Sequence, residues 1–322
     1  MGLFEFLKKN KTDQNTNQCD ISAPSTETQS TDTINPSDKS DIDDIKLEKV
    51  LVGVDKYCPP KPVVKLTVKK EETTVFDSKI GGVPYFPKDM EYPYGKVGGY
   101  KDQPLVMLAQ LNFATLPNIP NFPTEGILQL YIASDCLYGM SETKNRLNVQ
   151  DNFRIIYHRE ITDDLSHLMT LEDIPKYNGT DYCYLPFKGE YKLIPHAVEY
   201  MSVNSTDFEF GDAFVRSYNE LHDVHINHVW DLSDEIYYQL SDMDQFPQAI
   251  MGGYPMFVQD DPRDGTGYEK YDTVLFELDS IYDESQGIEI SWGDGGTGTF
   301  LISREDLLSC DFSSVLYNYD CL

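Results

Sequence analysis

The 322-residue chain carries 26 Lys and Arg against 54 Asp and Glu, a formal net charge of −28, with 40% hydrophobic and 12% aromatic residues. That field repels phosphate backbones and anionic lipid, so nucleic acid is excluded as an expected partner and a basic protein or a cation suits it better. No apolar run reaches the ~18 residues of a membrane-crossing helix, and the six cysteines (Cys19, Cys58, Cys136, Cys183, Cys310, Cys321) form no Cys-x-x-Cys pair; free thiols in the cytoplasm are expected, with no zinc site and no disulfide framework.

In chain order, the opening MGLFEFLKKNK has Phe6 where a myristoylation signal has Ser or Thr. Leu3, Phe4, Phe6 and Leu7 with Lys8, Lys9 and Lys11 fit one short amphipathic helix, which would be marginal on its own. Residues 12–44 are rich in Ser, Thr, Asn, Gln and Asp and lack the apolar surface to offset ordering entropy, which predicts a disordered tail over 1–44. The globular domain is expected over 45–322. VVKLTV (63–68) is β-branched and partly alternating, a strand signal, and 73–76 is a second short candidate. PLVMLAQLNF (104–113), GILQLYIAS (126–134), NFRIIYH (152–158) and YKLIPHAVEYMSV (191–203) predict further strands. Helices are expected over 205–216, over 231–244 with Ser233 as N-cap, and after Ser303.

The spelling Gly-Gly-x-Pro-x-Phe-x-x-Asp occurs twice, from Gly81 and from Gly252. The order of events after it is also shared. LAQLNF answers FELDS, with Gln110 against Glu277, and GILQLYI answers GTGTFLI. This self-similarity predicts an α+β, β-rich fold of mainly antiparallel sheet with a few helices, duplicated internally into pseudo-two-fold-related halves of roughly 63–160 and 230–322. In each copy the glycines open backbone angles closed to other residues, and Phe86 or Phe257 is expected to be aimed at the core.

IGGVPYFP, LAQLNF, GILQLYI, DNFRIIYH, MGGYPMFVQDDPR, SWGDGGTGTFLI and VLYNYDC together resemble the YwqG-like bacterial proteins, a domain of unknown function. The resemblance covers about 60–322. It implies a cytoplasmic mixed α/β fold with duplicated halves and no established catalytic residues. The placing of some members near contact-dependent toxin genes implies an immunity-type role.

The polar residues cluster in the second half. Asp260, Asp261 and Arg263 follow the second Gly-Gly, Glu277 and Asp279 follow in FELDS, and Trp292 and Asp294 lie in a glycine-rich turn. Such carboxylates can bind a hard cation or act as acid and base, and Asp and Gly equally serve turns. No EF-hand, phosphate-binding glycine loop or nucleophile-elbow pattern is present. His222, His225 and His228 are spaced by three, a metal-binding face only if the segment is helical. No catalytic residue and no cofactor is expected. The 22 tyrosines fit either a strand-rich core or an interface. The expected function is a non-catalytic binding module for a basic protein; the alternative is an enzyme or a small-ligand or cation-binding domain built on the C-terminal carboxylates.

Overall fold

The computed structural model describes residues 47–177, 184–223, 225–244 and 246–322. The expected tail, Cys19 and Cys183 lie outside them. The elements run α1 Leu47–Val54, β1 Lys61–Lys69, β2 Lys79–Gly81, β3 Val106–Asn112, β4 Ile127–Ile132, β5 Phe153–His158, β6 Glu190–Pro195, β7 Glu199–Met201, α2 Phe210–Leu221, α3 Asp234–Met243, β8 Ala249–Gly252, β9 Thr273–Asp279, β10 Ile281–Asp283, β11 Ile288–Ile290, β12 Thr297–Ile302, α4 Arg304–Ser309 and β13 Val315–Asp320.

One antiparallel sheet dominates, in the order β13-β12-β9-β8-β1-β6-β2-β3-β4-β5, with β7 beside β1 and a separate β10-β11 hairpin. The order is a palindrome. From one end it reads β5-β4-β3-β2-β6 and from the other β13-β12-β9-β8-β1. Burial follows the same symmetry. β3 and β9 are both covered except at their ends, and β4 and β12 are buried along their whole length. Strands covered on both faces read as continuous apolar runs, which is why ILQLYI gives so plain a signal. The sheet rolls until its ends meet. The Phe153 ring of β5 lies 5.3 Å from the Tyr317 ring of β13, and the Phe300 and Tyr317 rings stack at 4.3 Å. Inside the roll, Leu128, Leu130, Phe300, Ile302 and Trp292 share one core.

The two Gly-Gly pairs end β2 and β8 in the same way. All four residues have positive φ, 64° and 72° at Gly81 and Gly82, 70° and 73° at Gly252 and Gly253. A Cβ on Gly81 would stand 2.4 Å from the Gly189 carbonyl oxygen, and one on Gly252 would stand 2.4 Å from that of Pro62. Only glycine fits where the chain turns left-handed against a neighbouring strand. As expected, Phe86 and Phe257 are buried.

The helices form a second layer on one side. α1 buries Leu47, Val50 and Val54, the spacing of a helical face. Gly53 lets α1 meet α2 closely, and Ser217 donates its hydroxyl to the Val50 carbonyl at 2.6 Å. This layer joins the second Gly-Gly loop through Tyr254, whose hydroxyl donates to the Pro59 carbonyl.

Several sequence expectations shift. Residues 73–76 form no strand. Thr74 N and Oγ1 both donate to Asp77 at 2.7 Å, and such side-chain bonds hold a turn against the β preference of Thr and Val. The helix expected over 205–216 starts later, at Phe210, because Asn204 and Asp207 accept from Thr206 and Glu209 and fix a turn ahead of it. Ser233 occupies the N-cap position of α3 without a capping bond, whereas Ser303 accepts from Asp306 N ahead of α4.

Candidate functional site

Each Gly-Gly loop crosses the sheet, and a buried polar side chain of the strand beneath accepts from the residue after its proline. In the N-terminal set this is Gln110 of β3, whose Oε1 accepts from Tyr85 N and from Gln129 Nε2 of β4, both at 2.8 Å. In the C-terminal set it is Glu277 of β9, whose Oε2 accepts from Met256 N at 3.0 Å and from Thr299 Oγ1 of β12 at 3.1 Å. Tyr85 and Met256 each follow the proline of their motif. The two sets of bonds are alike but the charge differs. Around Gln110 all partners are neutral. His158 faces Gln129 Oε1 at 2.9 Å and burial lowers its pKa to about 4. Glu277 sits in the corresponding place as an acid with no cation beside it. Burial, with Asp279 and Asp320 adding to it, pushes it up to about 8, so at neutral pH it is mostly protonated.

Register places Asp279, Thr297 and Asp320 side by side across β9, β12 and β13. Burial raises both aspartates to about 6. Asp320 Oδ2 accepts from Val258 N and Gln259 N at 2.9 Å, while its buried Oδ1 has no hydrogen-bond partner. Asp279 accepts from Ser280 N and is half-buried.

Asp261 and Arg263 belong to a different constellation, with Asp207. The guanidinium is wholly buried. It donates Nε and Nη2 to the two Asp261 oxygens at 3.0 and 2.7 Å, Nη2 to Asp207 at 2.7 Å, and Nη1 to the Tyr271 carbonyl at 3.3 Å. Burial opposes its charge and the two carboxylates more than offset this, raising its pKa. Asp261 Oδ2 also accepts from Phe208 N. The triad therefore clamps the loop ahead of α2 onto the second Gly-Gly loop, with its polar atoms turned inward. Trp292 is buried against Tyr138 and Tyr319 at ring separations of 5.3 and 5.9 Å. Asp260 and Asp294 are exposed.

The seven residues singled out in the sequence are thus spread over several settings. Glu277 and Asp279 share the outer sheet face with Asp320; Asp261 and Arg263 make the clamp; Trp292 packs in the core; Asp260 and Asp294 face solvent. Asp207 and Asp320 lay outside the sequence reading, because nothing local distinguishes a carboxylate whose partner is 56 residues away. Register puts Asp320 across from Thr297 as it puts His158 across from Ile127. His222 stacks on Tyr218 at 4.2 Å just past the end of α2, and His225 and His228 are exposed beyond the turn, so the three share no helical face. Among the described residues no group of three His, Cys, Asp or Glu side chains is arranged to hold a metal.

Two surfaces remain. The segment 217–262 contains no Lys or Arg. Within it Trp230, Tyr238, Leu221 and Phe246 are 69, 65, 50 and 47% exposed, among Asp223, Asp234, Glu235 and Asp242, which are also at the surface. Separately, a cleft of about 430 Å³ runs between α1, the β7 region and α3.

A rolled antiparallel sheet with one helical layer and loops clamped by buried polar groups defines the class, an α+β domain. The chain belongs to the family described as a domain of unknown function, DUF1963, whose model matches residues 78–321. No curated protein matches it. The matched range starts one residue ahead of β2 and leaves out β1, although β1 sits in the middle of the sheet and pairs with β6, β7 and β8. Among the described residues no helix is long and apolar enough to cross a membrane.

Proposed function

We propose that this protein is a non-catalytic, cytoplasmic binding module for a basic protein, immunity-type in the sense that it would neutralise a basic toxin. The observation that carries the reading is the acidic, aromatic surface of 221–246. Trp and Tyr are the residues most often responsible for binding energy at interfaces. A surrounding field of one sign speeds encounter with a cationic partner. The YwqG-like assignment within the family, supported by the seven motifs, belongs to the same reading. The test is capture from native-host lysate on the full chain at low and moderate salt, beside a Trp230→Ala/Tyr238→Ala chain. A basic protein held in a salt-sensitive manner and lost from the double variant supports the reading. A captured set that the double variant leaves unchanged, or one with no basic protein in it, sinks it.

Internal duplication is part of the proposal. It is supported by the palindromic strand order, the four matched glycine angles and the matched bonds of Gln110 and Glu277 to the residue after each proline. An experimental structure in which 79–158 and 249–320 do not superpose strand for strand would remove it.

A second reading, a cation bound by the C-terminal carboxylates, is favoured by one observation, the unpartnered Oδ1 of Asp320 beside Thr297 and Asp279. It predicts that magnesium or calcium raises the melting temperature of the full chain and that Asp320→Asn abolishes the rise; no rise at millimolar metal argues against it.

A further inference from the structure

We infer that the cleft beside α1 is the seat of the chain's own N-terminal segment, residues 3–11. Three observations meet here. The first is the chemistry of the cleft. Leu51, Val52, Met201, Val203, Phe210 and Leu240 supply apolar wall. Val52 and Tyr200, both on this cleft, are each 73% exposed, although Val52 lies in a helix whose other side is core. These two side chains extend the apolar wall of the cleft to its mouth.

The second is charge. Asp55 and Asp244 both line the cleft. Asp55 Oδ1 is buried with no hydrogen-bond partner. Asp244 accepts from Ser205 N and Oγ and is largely taken out of water, which raises its pKa. The cation that lines the same cleft, Lys65, is already paired with Glu199 at 3.1 Å. A buried acceptor without a donor costs free energy until one arrives. The occupant this selects has an apolar body and ammonium groups. Residues 3–11, LFEFLKKNK, carry Leu3, Phe4, Phe6 and Leu7 followed by Lys8, Lys9 and Lys11 in a chain whose net charge is −28. Three lysines in nine residues stand out against 26 Lys and Arg in 322.

The third is connection. The segment joins the fold at the start of α1, the helix that lines the cleft. From Leu47 to Asp55 is roughly 12 Å at 1.5 Å per residue. About 35 residues lie between Lys11 and Leu47, and a chain of that length can extend to over 100 Å. Reach is ample, and covalent linkage supplies an effective concentration in the millimolar range, so even a weak site would be filled.

The test uses the full chain with Phe6 replaced by the photo-crosslinking residue benzoylphenylalanine, irradiated at low concentration and mapped by mass spectrometry. Crosslinks within one molecule to Val52, Tyr200, Met201 or Leu240 are expected. A Lys8→Glu/Lys9→Glu/Lys11→Glu chain, altered outside the packed domain, is expected to lower that yield about fivefold or more, in line with charge pairs in a partly dry site. Adding vesicles of phosphatidylcholine with phosphatidylserine should leave the cleft crosslinks in place. Crosslinks only elsewhere on the domain, only between molecules, or only to lipid overturn the proposal, as does a yield that the charge reversal leaves unchanged.

Discussion

Replacing Glu277 by glutamine puts into the C-terminal strands what the N-terminal strands already carry at Gln110. The glutamine Oε1 can accept from Met256 N and Thr299 Oγ1 as the carboxylate does, so the loop stays anchored and the titration is removed. Because burial raises the Glu277 pKa from 4.5 to about 8, the native state holds a proton that the unfolded chain has released over that interval, and stability falls as pH rises through it. Each unit is worth about 1.4 kcal/mol, so the loss grows from about 1 kcal/mol at pH 5 to about 3 at pH 7 and approaches 5 above pH 8. Glu277→Gln should therefore be nearly neutral at pH 5 and more stable than the native chain at pH 7, by roughly 5–10 °C in melting temperature for a domain of this size. Urea unfolding at pH 5, 6, 7 and 8 gives the difference curve directly. A flat difference, or one that shrinks as pH rises, would refute the assignment of Glu277 as a buried acid without a cation.

Arg263→Met leaves Asp207 and Asp261 buried without their cation and should cost about 3–5 kcal/mol in chemical denaturation; a loss under 1 kcal/mol would show that the clamp is not dry. Gly252→Ala and Gly265→Ala both ask alanine for a φ near +65°, but only the first drives a Cβ onto the Pro62 carbonyl, whereas Gly265 has open space. Both should lose about 1–2 kcal/mol to backbone strain, and Gly252→Ala should be clearly the worse of the two by thermal melting; equal losses would mean the strand contact gives way freely. His158, with its pKa lowered to about 4 by burial, stays neutral in the fold while the unfolded chain takes up a proton below pH 6.5, so its contribution is lost as pH falls, by about 3 kcal/mol in full. His158→Gln should flatten the acid side of the stability curve, and an unchanged acid limb would place that loss elsewhere.

The sequence alone determined the long buried strands and the two glycine loops, but not the short strands β2, β8, β10 and β11. Runs such as ILQLYI and TVLFELD are legible because burial on both faces leaves no polar alternation to misread, and Gly-Gly-x-Pro-x-Phe is legible because its backbone angles admit little else. The pairing of Gln110 with Glu277 was also visible, as an amide answering an acid in the same motif. Tertiary structure decided everything that depends on a partner distant in sequence. One miss was local: Asp77, three residues on, holds Thr74 in a turn where β preference predicts a strand. Asp207, 56 residues away, makes Arg263 part of a clamp, and a buried setting makes Glu277 an acid that keeps its proton. The carboxylates that looked like one cluster were separated by the alternation of strands, which sends Glu277 and Asp279 to one face while the loop carries Asp261 to the helical layer and leaves Asp260 in water. Spacing along a chain fixes which side chains can share a local face, whereas desolvation and charge pairing, which give a carboxylate its chemistry, exist only once the sheet has rolled up around it.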